Sequence, residues 1–403
     1  MNQITVGFWN LQNLFDTTVT DIASDFDYTP QRGWTDEVLN KKLDNLAQKI
    51  KSMYKNGPDI LGLCEIENES LARSLMDKVG RDDYEIASYK DSPDIRGIDT
   101  CLIYSRSIFE CVETISRNIH FRYPTRDIFQ ACLRVKENQA EIDVMVNHWP
   151  SRRGKGEGCD PNDTDYSRCM VAENCGMIID DILKIPRGEL ENLPDDLLNN
   201  SDILSKLNQS WNRNILLMGD FNDEPFDRSL TRYLGATSNV QLLREWKEIL
   251  ELERRKDGRG NKTDKEYYLE YIAPLFNCMW HLLPDGCNYY WRTNNLCMFD
   301  QFLISRGLYF GSQKLRMDID SVKIFKTGLT LGENLPEDRF DPLSAEKAHP
   351  VLKIAPTPFE YYKTFSDENN KLHRIDRSIP RWREANSGYS DHFPIQGIIN
   401  ILS

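Results

Sequence analysis

A chain of 403 residues, 40% apolar and 28% charged, has the make-up of a soluble globular enzyme and the length for two or three domains. Its net charge of −13 argues against a basic face built for tight electrostatic binding of nucleic acid, but leaves room for transient cleavage in which a metal ion supplies positive charge. No apolar run approaches the ~18 residues of a membrane span. The opening Met1-Asn2-Gln3-Ile4-Thr5-Val6-Gly7-Phe8-Trp9 resembles a strand rather than a signal peptide, so the expected location is the cytoplasm.

The predicted elements alternate along the chain. A strand over residues 4–10 comes first. Thr35 then caps a helix with Asp36 and Glu37 in its first turn. Leu39, Leu43, Leu46, Ile50 and Met53 recur at helical spacing before Gly57-Pro58 ends the run. Strands over 60–65, 100–104, 129–135 and 142–148 follow. A second amphipathic helix carries Val171, Cys175, Ile178, Ile179 and Ile182, and strands over 215–220 and 298–304 come after it. Strands interleaved with helices define an α/β class.

Residues 186–211, 242–270 and 306–386 read as insertions into this core. The charged run 253–262 fits a solvated helix end and loop, with contact to a phosphate backbone as the alternative. None of the ten cysteines forms a C-x-x-C pair, which argues against structural zinc. They are expected to be reduced thiols, several of them buried like Cys64, with a Cys159–Cys169 disulfide as the alternative.

Chemistry in α/β folds gathers at strand ends, where side chains are rigidly held yet open to solvent. Here the strands stop on polar groups: Asn10, Glu65, Asn147-His148, and Asp220-Phe221-Asn222. Near the C-terminus, Tyr389-Ser390-Asp391-His392 puts an acid and a histidine before another apolar strand. Each piece alone is weak, because Asp and Asn commonly satisfy local turn donors.

Together and in this order, the five pieces resemble the endonuclease/exonuclease/phosphatase superfamily over residues 4–398. They are most similar to its bacterial branch with an Asn13-Leu14-Phe15-Asp16 opening and the motif His148-Trp149-Pro150-Ser151-Arg152. The resemblance implies a four-layer α/β sandwich, two mixed β-sheets packed face to face with helices on the outside. Because Asn10 and His392 must then reach one phosphate, residues 1–403 are expected to form a single domain, with the insertions decorating the rim of the cleft.

The resemblance also implies roles. Glu65 is the principal metal ligand, with Asn10 and Asp391 near the same ion, Mg²⁺ or Mn²⁺. Asp220 orients or deprotonates the attacking water, and Asn222 contacts the phosphate. His392 serves the scissile phosphate and is oriented by Asp300; His148 is a second histidine, paired with Asp99. Arg126 contacts phosphate. Gln12 stands where repair endonucleases of the superfamily carry an aspartate, a departure that fits the deoxyribonuclease branch better.

The residues support this chemistry independently. Mg²⁺ takes one or two carboxylates plus water and substrate phosphate, and Glu65 and Asp391 supply that number. A histidine held by an acid can donate to developing charge. Both expected histidine–carboxylate pairs require their strands to be neighbours. The expected function is a divalent-metal-dependent phosphoesterase, a DNA endo- or exonuclease acting by in-line attack of water. Arg126, Arg152, Arg153 and Lys155 are the expected phosphate contacts in that case. The alternative substrate is a small phosphoester, namely a phosphoinositide, a sphingomyelin-type lipid or a nucleotide. A catalytically dead binding module would need a broken ligand set, and none is broken. No obligate protein partner is evident.

Overall fold

The computed structural model describes residues 3–20, 27–89, 91–94, 96–119, 125–152, 161–258, 260, 262–286, 288–291, 295–334, 354–361, 364–366, 372–374 and 387–402. Arg153, Lys155 and Cys159 lie outside them; Cys169 is a free, buried thiol.

The strands in chain order are β1 (Gln3–Leu14), β2 (Ile60–Ile66), β3 (Tyr84–Ile86), β4 (Asp99–Ser105), β5 (Phe109–Arg117), β6 (Ile128–Val135), β7 (Glu141–His148), β8 (Asn214–Asp220) and β9 (Ala236–Thr237). They continue as β10 (Leu275–Asn277), β11 (Tyr289–Trp291), β12 (Asn295–Cys297), β13 (Asp300–Ile304), β14 (Leu315–Ile324), β15 (Thr364–Ser366), β16 (Leu372–Arg374) and β17 (Ile395–Ile401). One mixed sheet runs β14-β17-β1-β2-β4-β3 and the other β5-β6-β7-β8-β13-β10-β9. β1 pairs antiparallel with β17, from Gln3 opposite Asn400 to Phe8 opposite Ile395, so both ends of the chain share one sheet.

Period-two alternation builds the layers. From β1, Ile4, Val6 and Phe8 point between the sheets, where they join Ile142, Val144 and Val146 of β7 and Leu216 and Met218 of β8. Trp9 and Leu11 point the other way, under helix α1 (Asp36–Met53) and helix α2 (Glu69–Val79). The Thr35 hydroxyl accepts from the Val38 N–H and starts α1 as its sequence requires. On the far side, Met145, Ile215 and Leu217 pack under helix α3 (Pro161–Leu183). The result is the expected four layers. Among the described residues no helix is long and apolar enough to cross a membrane.

Two of the expected rim insertions are placed differently. Leu190, Leu197, Ile203, Leu207 and Trp211, and then Trp246, Ile249, Leu250 and Tyr268, belong to the core beneath the second sheet. Residues 186–211 and 242–270 are therefore outer-layer structure. Their polar composition hid an apolar stripe at helical spacing. The third segment begins with a short helix, Arg306–Phe310, and continues as edge strand β14 against β17. Within it, Phe359 returns to the end of β1, where its backbone meets the Gln12 side chain.

Candidate active site

Three neighbouring strands of the second sheet carry the core of the site in register. His148 of β7 lies opposite Asp220 of β8, and Asp220 opposite Asp300 of β13. Gly219 permits this spacing: a Cβ there would sit 2.2 Å from the Asn147 carbonyl oxygen. The first sheet brings Asn10 and Glu65, and the loop before β17 brings Asp391 and His392. A cavity of about 360 Å³ opens between the sheets, lined by Glu65, His148, Asp220, Asn222, Asp391 and His392 among others.

His392 Nδ1 lies 2.7 Å from Asp300 Oδ2, and both groups are buried. Burial would lower the imidazole pKa, but the Asp300 carboxylate outweighs it and holds His392 well above the ordinary histidine range. The expected pair therefore forms, though β13 and β17 do not pair; the contact crosses the gap between the sheets. Asn288, fully buried, steadies both partners. Its Oδ1 accepts from the Phe299 and Asp300 N–H groups, its Nδ2 donates to the Asp300 carbonyl, and its own carbonyl accepts from Phe393 N–H.

The expected His148–Asp99 pair does not form. β7 and β4 belong to different sheets, and the Asp99 carboxyl accepts from Ser92 N–H and Tyr89 Oη. Burial raises Asp99 to about 7. His148 instead meets Arg126, whose Nη2 is 2.8 Å from Nε2. Its Nε2 also lies 3.6 Å from Glu65 and 3.8 Å from Asp220. Burial, then Arg126 and Arg96, push the His148 pKa well below its usual value, so this imidazole is neutral. Arg126 is buried against His148 and is not among the cavity-lining residues; Arg96 and Arg152 are. The expectation that Arg126 touches phosphate is corrected on that ground.

Asp220 accepts from Asn222 N–H at 2.9 Å and Asn10 Nδ2 at 3.0 Å, and its Oδ2 lies 3.8 Å from His392 Nε2. Burial raises its pKa. Asn10 is not a ligand facing the cavity: its Oδ1 accepts from Gln12 N–H while its amide orients Asp220. Asn222 donates to the Trp149 carbonyl.

Glu65, Gln12, Asn13 and Asn222 all have positive φ, four of the seven such non-glycine residues among the described ones, so backbone strain concentrates around the cavity. Sequence reasoning missed what supports it. The buried ammonium of Lys42 donates to the carbonyls of Gln12 and Asn13, and Asn13 N–H donates to Glu65 Oε2 at 2.8 Å. Burial lowers Lys42 to about 7, opposed by the Glu65 and Asp391 carboxylates. The Gln12 side chain forms a two-way amide pair with the Phe359 backbone, at 3.2 and 2.8 Å. That explains the departure at Gln12: its side chain anchors residues 354–361 beside the site.

The donor set fits a hard divalent cation. Glu65 and Asp391 line one cavity, and both act on Lys42 and Tyr28, so their charges converge. With Oε2 fixed by Asn13, Glu65 can offer Oε1. Asp220, Asp300 and His392 also bring ligand atoms within 4.8 Å of one another. There, the hydrogen bond between Asp300 and His392 engages one oxygen of Asp300 and Nδ1 of the histidine, and Asp300 Oδ1 is buried without a hydrogen-bond partner.

Residues 5–189 match the model of the Endonuclease/Exonuclease/phosphatase family. No curated protein sequence matches the chain. Similar solved structures include a Bacteroides thetaiotaomicron endonuclease/exonuclease/phosphatase family protein, 12% identical, covering 99% of this chain and 98% of that one at a TM-score of 0.44. D. rerio TDP2 complexed with a single-strand DNA product is 11% identical, with 99% of both chains covered and a TM-score of 0.45. The human Nocturnin catalytic domain is 14% identical, with 99% and 94% covered and a TM-score of 0.43. The family match covers the segment that contributes Asn10, Glu65, Arg126 and His148, and over it the chain is similar to the Endonuclease/Exonuclease/phosphatase family.

Proposed function

We propose that the chain is a divalent-metal-dependent phosphoesterase that cleaves phosphodiester bonds, with DNA as its substrate. The observation that carries this reading is one cavity holding two converging carboxylates, Glu65 and Asp391, beside Asp220 and the His392–Asp300 pair. Phosphate esters resist attack because they are anionic, so catalysis rests on positioning and charge neutralisation. Mg²⁺ or Mn²⁺ held by Glu65 and Asp391 supplies positive charge there.

The remaining work falls to the chain's own groups. Asp220, its pKa raised by burial and its orientation set by Asn10 and Asn222, accepts a proton from the attacking water. His392 keeps its proton and donates from Nε2 to the developing charge. Neutral His148 orients on the same phosphate from the other side, and Asn222 closes the turn beside it.

The cavity's size favours a second reading. About 360 Å³ is near the lower end for a small-molecule site, which suits a small phosphoester such as a nucleotide or an inositol phosphate headgroup. Plasmid DNA, a nucleotide and phosphatidylinositol phosphates, each assayed with Mg²⁺ and with EDTA, separate the two. Metal-dependent nicking of DNA supports the first reading. Turnover of only the small substrates supports the second, and unchanged turnover in EDTA removes the metal from both.

A further inference from the structure

One wall of the cavity carries an arrangement of charge that the proposed reaction has not yet used. Arg126 is the cation that the sequence points to for phosphate, yet its guanidinium is buried and committed to His148, with Nε 3.2 Å from Nδ1 and Nη2 2.8 Å from Nε2. Arg152 lines the cavity, but Nε donates to the Asn222 carbonyl at 2.9 Å and Nη2 meets Asp223 at 3.1 Å and also Asp227. Its plane lies 4.8 Å over Phe299. Arg152 therefore braces the Asn222 turn.

Arg96 is placed differently. It lines the same cavity with its side chain 39% exposed, and its side-chain hydrogen bonds, Nε and Nη2 to Asp94 Oδ2, are both long at 3.4 Å. That same carboxylate oxygen lies 3.5 Å from Arg126 Nε. One carboxylate is thus shared by two guanidinium groups, which leaves this wall positively charged. A guanidinium has five N–H donors, and a fork of them matches the oxygens of a tetrahedral oxyanion. Arg96 has donors to offer on the cavity side.

We propose that Arg96 binds the non-bridging oxygens of the substrate phosphate, while Arg126 acts behind it as a positioning residue for His148. Asp94 ties the two together, so the arm reaches the cavity as Arg96–Asp94–Arg126–His148. This rests on the phosphoesterase reading. It predicts a substrate whose phosphate enters with an oxygen edge facing Arg96, in the cavity that Glu65 and Asp391 also line.

The test is binding of inorganic phosphate to the Mg²⁺-loaded protein, measured by calorimetry, beside steady-state kinetics. Arg96→Gln should weaken phosphate by about tenfold or more, the scale of one lost charge-assisted contact. It should raise KM more than it lowers kcat and keep the melting temperature. Arg96→Lys should recover part of the affinity, and Arg187→Gln, at an exposed helix site, should change nothing. Arg126→Gln should lower kcat more than it weakens phosphate. Phosphate affinity within twofold of wild type in Arg96→Gln overturns the assignment. If the wild-type protein binds no phosphate and turns over no phosphoester, the phosphoesterase reading fails instead.

Discussion

Replacing Asp300 with Asn keeps the shape of a fully buried side chain and removes the charge that sets His392. In the wild-type site the Asp300 carboxylate, 2.7 Å from Nδ1, holds His392 protonated through neutral pH. Without it, burial is the larger influence and draws the imidazole below the ordinary value of about 6.5. At pH 7.5 less than about a tenth of the protein would then carry the His392 proton, a loss of at least about tenfold by occupancy alone. The fixed tautomer is lost as well, so kcat should fall by about 10²–10⁴, the range of a positioned general acid. The sign in pH follows: the alkaline limb of the kcat profile, high in the wild type, should move below neutrality, while the acid limb governed by Asp220 should move up, because a neutral His392 no longer lowers the Asp220 pKa against burial. Profiles of kcat on a phosphodiester with an alkoxide leaving group, recorded from pH 5 to 10, measure both shifts. An alkaline limb left in place, with kcat within threefold of wild type, would refute the role given to this pair.

Other expectations follow from the carboxylates and from Lys42. Glu65→Gln keeps the hydrogen-bond acceptor for Asn13 but removes a charge facing the cavity, so the Mg²⁺ concentration for half-maximal activity should rise tenfold or more with an unchanged circular dichroism spectrum. Lys42→Met preserves volume and strands the Gln12 and Asn13 carbonyls without their donor, which should cost about 1–3 kcal/mol in chemical denaturation. It should also weaken Mn²⁺ binding measured by calorimetry, because Asn13 no longer holds Glu65 in place; retained metal affinity would show that Lys42 serves stability alone.

The sequence makes the strand ends legible because each is a local signal: an apolar run with period two that stops on Glu65, His148 or Asp220. α1 is legible for the same reason, with Thr35 capping a continuous apolar stripe. Which strand end faces which is not local. Asp99 and His148 look like partners along the chain, yet the Asp99 carboxyl accepts from Ser92 and Tyr89 while His148 meets Arg126. Gln12 and Phe359 are 347 positions apart, and no pattern near either one announces their amide pair. Lys42 did leave a trace. It sits three residues after Leu39 and four before Leu46, on the stripe that α1 buries, where a lysine is out of place unless something receives its ammonium group.

The two histidines show how far identical local signals can diverge once packing is set. Each lies at the edge of an apolar strand and opposite Asp220, 3.8 Å from it in both cases. His392 backs onto Asp300 and is pushed up; His148 backs onto Arg126 and Arg96 and is pushed down. One imidazole is therefore favoured as the cation and the other as the neutral ring, in the same cavity. A negative oxygen entering between them meets a cationic donor on the His392 side and the Arg96 wall on the His148 side, with Asp220 between to take a proton from water. On the proposed reading, the difference between the two imidazoles comes from what stands behind each in an equally buried setting: the Asp300 carboxylate overcomes burial at His392, whereas Arg126 adds to it at His148.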